Sequence, residues 1–160
     1  MANSKLEPGS EAPGFTLPDP GGAGVSLEDF RGSWVVLYFY PRDDTPGCTA
    51  EAVDFTAGLP DFGGLNAVVI GISPDTGARH GKFMAKHGLG IRLLSDTGRE
   101  VIKRYGAWRI KKMYGKESYG VVRSTFLIDP SGIIRQRWDK VKVKGHAEDV
   151  LNALKGFVTH

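Results

Sequence analysis

The chain holds one cysteine, Cys48, in "YFYPRDDTPGCTAEAVDF", which runs from Tyr38 to Phe55. Thr45 is a good helix N-cap, Pro46 suits the first helical position, and Gly47 and Cys48 complete the first turn. The sulfur then stands at the positive end of a helix, where unpaired amides and the helix dipole favour thiolate over thiol. A group so placed is a nucleophile at neutral pH. The alternative is a small buried hydrophobe, the fate of most lone cysteines. Against it, "PRDDTPGCTAE" is polar, turn-rich and at the carboxyl end of a strand, where open α/β sheets place their ligand sites.

Other chemistries fit the spacing less well. His80, His87, His146 and His160 are scattered, none is spaced to pair with Cys48, and there is no second cysteine, so no metal is expected. Dithiol exchange requires Cys-x-x-Cys, and the chain reads "CTAE". A lone cysteine cannot close an intramolecular disulfide, which points to a reducing compartment, most simply the cytoplasm.

The elements that must position Cys48 follow from hydropathy patterning. "SWVVLYFY" is a continuous β-branched and aromatic run, expected of a central strand covered on both faces. Ala52, Phe55, Ala57 and Leu59 continue from Cys48 at helical spacing until Gly58 and Pro60 interrupt. "NAVVIGIS" and "IRLLSD" repeat the buried-strand composition, while Gly77 to His87 and "GREVIKRYG" repeat the helical one. Upstream, "PDPGGAG" between Phe15–Leu17 and Val25–Leu27 predicts a β-hairpin, and Ser26 with Asp29 a capping-box start. Downstream, 107–120 reads as loop, "VVRSTFLID" and "IIRQRW" as a hairpin around Pro-Ser-Gly, and His146 to Val158 as an amphipathic closing helix. This order predicts one α/β domain over residues 1–160, a mixed sheet flanked by helices, compatible with a thioredoxin-like fold.

Totals limit the remaining choices. A formal charge of +3 is spread along the chain, and the basic run "RQRWDKVKVK" alternates with apolar residues as a solvated strand edge would, so no nucleic-acid partner is expected. The start "MANSKLEPGS" lacks a signal-peptide core, and the longest apolar run, Trp34 to Tyr40, is too short to cross a bilayer.

Pro41, Thr45 and Cys48 stand as P-x-x-x-T-x-x-C, and this pattern within "FYPRDDTPGCT" resembles the active-site signature of the peroxiredoxins. With "YGAWRIKKMYGK", "RSTFLIDPSG" and "HAEDVLNALK", the resemblance is to the peroxiredoxin Q or bacterioferritin-comigratory subfamily over nearly the whole chain. It implies a thioredoxin-like fold and a thiol peroxidase acting on hydrogen peroxide and organic hydroperoxides, without metal, haem or flavin. Cys48 would be the peroxidatic thiolate, which oxidises to a sulfenic acid. Thr45 would hydrogen-bond peroxide or thiolate, its alternative being a plain cap, and the Gly47 and Cys48 amides would be fixed donors. Pro41 would shield the site, its alternative being a strand terminator. Arg123, a charge in an apolar run, would stabilise the thiolate, and Glu51 would orient Arg123 or stand exposed.

Phe39, Tyr40, Trp108 and Tyr119 would line the pocket entrance or belong to the core. Many members carry a resolving cysteine five residues after the peroxidatic one, where this chain has Val53. The reductant must then be external: thioredoxin, glutaredoxin or a small thiol, acting on a monomer or weak homodimer. The rival readings are a peroxide sensor or redox-regulated binding protein signalling through Cys48, and an interaction module with an inert cysteine.

Overall fold

The chain's architecture was obtained as a computed structural model that describes residues 6–159, so His160 lies outside the described residues. In chain order it runs through β1 (Thr16–Pro18), β2 (Gly24–Ser26), a 3-10 turn (Leu27–Phe30), β3 (Trp34–Phe39), α1 (Pro46–Ala57) and α2 (Leu59–Gly64). It continues with β4 (Ala67–Ser73), α3 (Gly77–His87), β5 (Arg92–Ser95), α4 (Glu100–Arg104), β6 (Trp108–Met113) and β7 (Lys116–Val121). β8 (Ser124–Ile128), β9 (Ile134–Trp138) and α5 (His146–Val158) complete it.

Five strands form the central sheet in the order β5-β4-β3-β8-β9. β3 pairs in parallel with β4, Val36 opposite Val69, and antiparallel with β8, Phe39 opposite Ser124. The expected mixed sheet, its flanking helices and the N-terminal β1–β2 hairpin are all present. The basic run falls partly on β9, at an edge of the sheet. Side-chain alternation along β3 divides the core. Val35, Leu37 and Phe39 join one apolar layer with Ile102, Tyr105 and Phe126. Val36, Tyr38 and Tyr40 join the other with Cys48, Phe55, Phe62, Phe83 and Leu154.

Local signals explain the helices that matter. α1 starts on Thr45 in an extended conformation with Pro46 in its first turn, and buries Cys48, Glu51, Ala52 and Phe55, one stripe at helical spacing. α3 is capped by Thr76, whose hydroxyl accepts from the Arg79 amide at 3.3 Å, and stops at Gly88, which takes the left-handed φ of 61° that favours glycine. None of the described helices is long and apolar enough to cross a membrane.

Three expectations are corrected. The stretch 107–120 is largely the β6–β7 hairpin, turned by Tyr114 and Gly115, both at positive φ (52° and 75°), as a two-residue type I′ connection requires. Gly58 and Pro60 do not return the chain to coil but start the short helix α2. Arg123 stands between β7 and β8 rather than inside a strand, so its backbone can turn the guanidinium toward α1.

Candidate active site

Cys48 lies in the first turn of α1 with 1% of its surface exposed. Arg123, 75 residues on, reaches it from the β7–β8 connection and donates from Nη2 to Sγ at 3.4 Å. The other arm, Nη1, donates to Glu51 Oε1 at 2.6 Å. A planar guanidinium can hold both partners because its donors diverge at fixed angles. Glu51 is thus buried and paired, the first of its two expected placements.

Gly47 makes room for this arrangement. A Cβ at that position would stand 3.2 Å from Arg123 Nη2, inside ordinary contact distance, so any larger residue must push the guanidinium aside. The amides of Gly47 and Cys48 belong to the first turn, where helix N–H groups lack intrahelical partners. The donor recorded on the sulfur is Arg123 Nη2.

Burial pushes the Glu51 carboxyl up to about 7 against the pull of Arg123. Burial works against the charge of Arg123, but Glu51 and Cys48 together outweigh it and raise its pKa above the ordinary value. Lys111, on β6, is depressed, first by burial and then by the Arg123 charge, while Cys48 acts the other way. Lys111 was not singled out in the sequence because 107–120 reads there as loop.

Thr45 caps α1 through its backbone, but its hydroxyl donates to the Arg42 carbonyl at 2.9 Å. The expected donation to the sulfur is absent from this geometry, and the oxygen's lone pairs are left to accept. Pro41 lines a cleft of about 420 Å³ with Trp108, Tyr119 and Lys111. Trp108 stacks on Tyr119 with ring centroids 6.3 Å apart on this cleft, whose lining does not include Cys48 or Arg123. Phe39 and Tyr40 lie in the core. Phe39 packs with Tyr105 and Phe126 on the face of the sheet away from Cys48, as alternation along β3 dictates. Tyr40 is 1% exposed and donates to Asp43 Oδ1 at 2.6 Å.

Val53 sits on the outer side of α1, 42% exposed. Among the described residues, one group has metal-ligand types in proximity: Asp43, Asp75 and His80, with one atom of each within 4.8 Å of the others. These atoms are already engaged: Asp43 Oδ2 with His80 Nδ1, Asp75 Oδ2 with the Ser73 hydroxyl and the Asp43 amide. Sequence reasoning left Asp43 and His80 aside because 37 residues separate them and no local spacing joins them.

Known proteins resemble this chain over most of its length. Residues 8–137 match the AhpC/TSA family. Peroxiredoxin Bcp of Bacillus subtilis is 47% identical over 150 residues, which are 94% of this chain and 96% of the relative. The structure of Xanthomonas campestris peroxiredoxin Q superposes with a TM-score of 0.86 at 44% identity, covering 90% of this chain and 91% of that one. A cysteine-to-serine mutant of Xylella fastidiosa PrxQ gives a TM-score of 0.91 at 39% identity, covering 97% of this chain and 99% of that one.

Proposed function

The chain belongs to the AhpC/TSA family as a thiol peroxidase of the Bcp and PrxQ kind, and on that premise we propose how its residues divide the work. The Cys48 thiolate attacks one oxygen of a hydroperoxide in line with the O–O bond. An S–O bond forms, the O–O bond breaks, and the departing alkoxide or hydroxide takes a proton and leaves as alcohol or water. The products are Cys48 sulfenic acid and ROH. One observation carries this reading: the Arg123 guanidinium, brought from 75 residues away, donates to Sγ at 3.4 Å.

Arg123 stabilises the anionic sulfur and then the charge that develops on the peroxide oxygens. Glu51 fixes the plane of the guanidinium. The Gly47 and Cys48 amides add donors that need no reorganisation, and Thr45 accepts the peroxide proton while its own hydrogen stays on the Arg42 carbonyl. Pro41, on the loop that leads into α1, keeps water from the bond being broken.

Regeneration uses an external thiol, since the chain has no second cysteine. One thiol attacks the sulfenic sulfur and expels water to give a mixed disulfide; another releases Cys48 and leaves as the oxidised disulfide. Thioredoxin, glutaredoxin and small thiols all have this chemistry, in a reducing compartment such as the cytoplasm, and a monomer or weak homodimer can perform it. No described feature favours a sensing role over turnover. Peroxide consumption under excess dithiothreitol tests the assignment: Cys48→Ser should abolish it with the fold intact, and a fully active serine variant refutes the reading.

A further inference from the structure

A buried hydrogen-bond chain that peroxide chemistry does not use fastens the segment carrying Cys48. Tyr40 Oη donates to Asp43 Oδ1 at 2.6 Å, Asp43 Oδ2 stands 2.6 Å from His80 Nδ1, and His80 Nε2 stands 3.0 Å from the Leu94 carbonyl oxygen. The chain joins the end of β3, the loop before α1, helix α3 and strand β5. Tyr40 is 1% exposed, Asp43 3% and His80 0%. A carbonyl can only accept, so Nε2 carries hydrogen, and a second proton lies between Nδ1 and the carboxylate. The Asp43 amide is held as well: it donates to Asp75 Oδ2 at 2.7 Å, and Asp75 pairs with Arg79 at 3.1 Å.

Asp43 stands just ahead of the first turn of α1. Asp44 follows at φ 61°, then Thr45 as cap, so the position of Asp43 fixes where the Gly47 and Cys48 amides point. A second tether, from Asp44 to Lys86 and His87, is exposed and correspondingly weak. The buried pair is the strong one, because removing either partner strands the other away from water.

Turnover requires this fastening to yield. Hydrogen peroxide is small, but a thiol reductant must bring its own sulfur in line with a Cys48 sulfur that is 1% exposed. We propose that His80 is a positioning residue, and that its pair with Asp43 is the latch that holds Cys48 where peroxide reacts and limits how often the first turn of α1 opens to a thiol. This rests on the peroxidase reading. A latch affects the two half-reactions in opposite directions, whereas a residue that only supports the fold affects them alike.

Stopped-flow measurement of each half-reaction, hydrogen peroxide on reduced protein and dithiothreitol on the sulfenic form, tests this with two variants. His80→Gln keeps a donor for the Leu94 carbonyl but gives up Asp43; His80→Asn keeps a donor for Asp43. The glutamine variant should oxidise about tenfold more slowly, the scale of a slightly misplaced reacting group, and be reduced severalfold faster. The asparagine variant should restore both rates toward wild type. Equal slowing of both steps, or no change in either, overturns the latch.

Should the glutamine variant not fold, hydrogen exchange in the unaltered protein decides. The His80 ring N–H and the Thr49 amide, which donates to Thr45 at 2.8 Å, should exchange together and well ahead of the β3 amides. A ring proton released only with the core, while Thr49 exchanges freely, overturns the proposal. A wild-type Cys48 indifferent to peroxide sinks the peroxidase reading instead, and exchange remains the test of the latch.

Discussion

Gly47 shows how narrow the tolerance around the sulfur is. A methyl group there would sit 3.2 Å from Arg123 Nη2, tighter than ordinary contact. Gly47→Ala should leave α1 intact, since alanine favours helix, yet slow peroxide oxidation of Cys48 by about tenfold through displacement of the guanidinium. Single-turnover oxidation of the reduced variant by hydrogen peroxide checks this, and a wild-type rate would argue against it. The placement of Cys48 in the first turn of a helix was legible because Thr45, Pro46 and Gly47 state a helix start in local chemistry. The need for glycine at 47 was not, because the atom that requires it belongs to a residue distant in sequence.

At the scale of elements, the Glu51–Arg123 pair ties α1 to the β7–β8 connection at 2.6 Å. Burial raises the Glu51 carboxyl from 4.5 to about 7, so the folded state holds its proton over a range where the unfolded chain has lost it. Its favourable contribution is therefore complete below pH 4.5 and is lost as pH rises through about 7. Relative to Glu51→Gln, the wild type should lose up to about 3 kcal/mol of stability between acid and slightly alkaline solution. Denaturant unfolding of both proteins at about pH 5 and about pH 8 measures the difference, and parallel stabilities at the two values would contradict it.

The central strands and most helices were legible from periodicity, since their burial is one-dimensional information. The β6–β7 hairpin was not: Tyr114 and Gly115 make its turn through positive φ, while Lys111 and Lys112 interrupt the alternation that would have marked β6. The position of Arg123 outside the strands escaped for a related reason. An apolar run with one charge reads as a strand with a defect, and only the sheet shows that pairing stops at Val121 and resumes at Ser124.

Over the whole molecule, the sheet's topology is what assembles the chemistry. β3 delivers Cys48 from its carboxyl end, and antiparallel pairing with β8 brings Arg123 to the same end, beside Phe39 opposite Ser124. The sulfur and its cation therefore meet only in the folded chain, and with one thiol present the reducing electrons must come from outside it. The most direct test exposes reduced wild-type and Arg123→Ala proteins to one equivalent of hydrogen peroxide, then follows oxygen uptake by intact mass and locates it by peptide mapping. The wild type should gain one oxygen, on Cys48 and reversible by dithiothreitol, with Arg123→Ala slower by about 100-fold. Oxygen found on the methionines with Cys48 still reduced, or equal rates in the two proteins, would contradict the account.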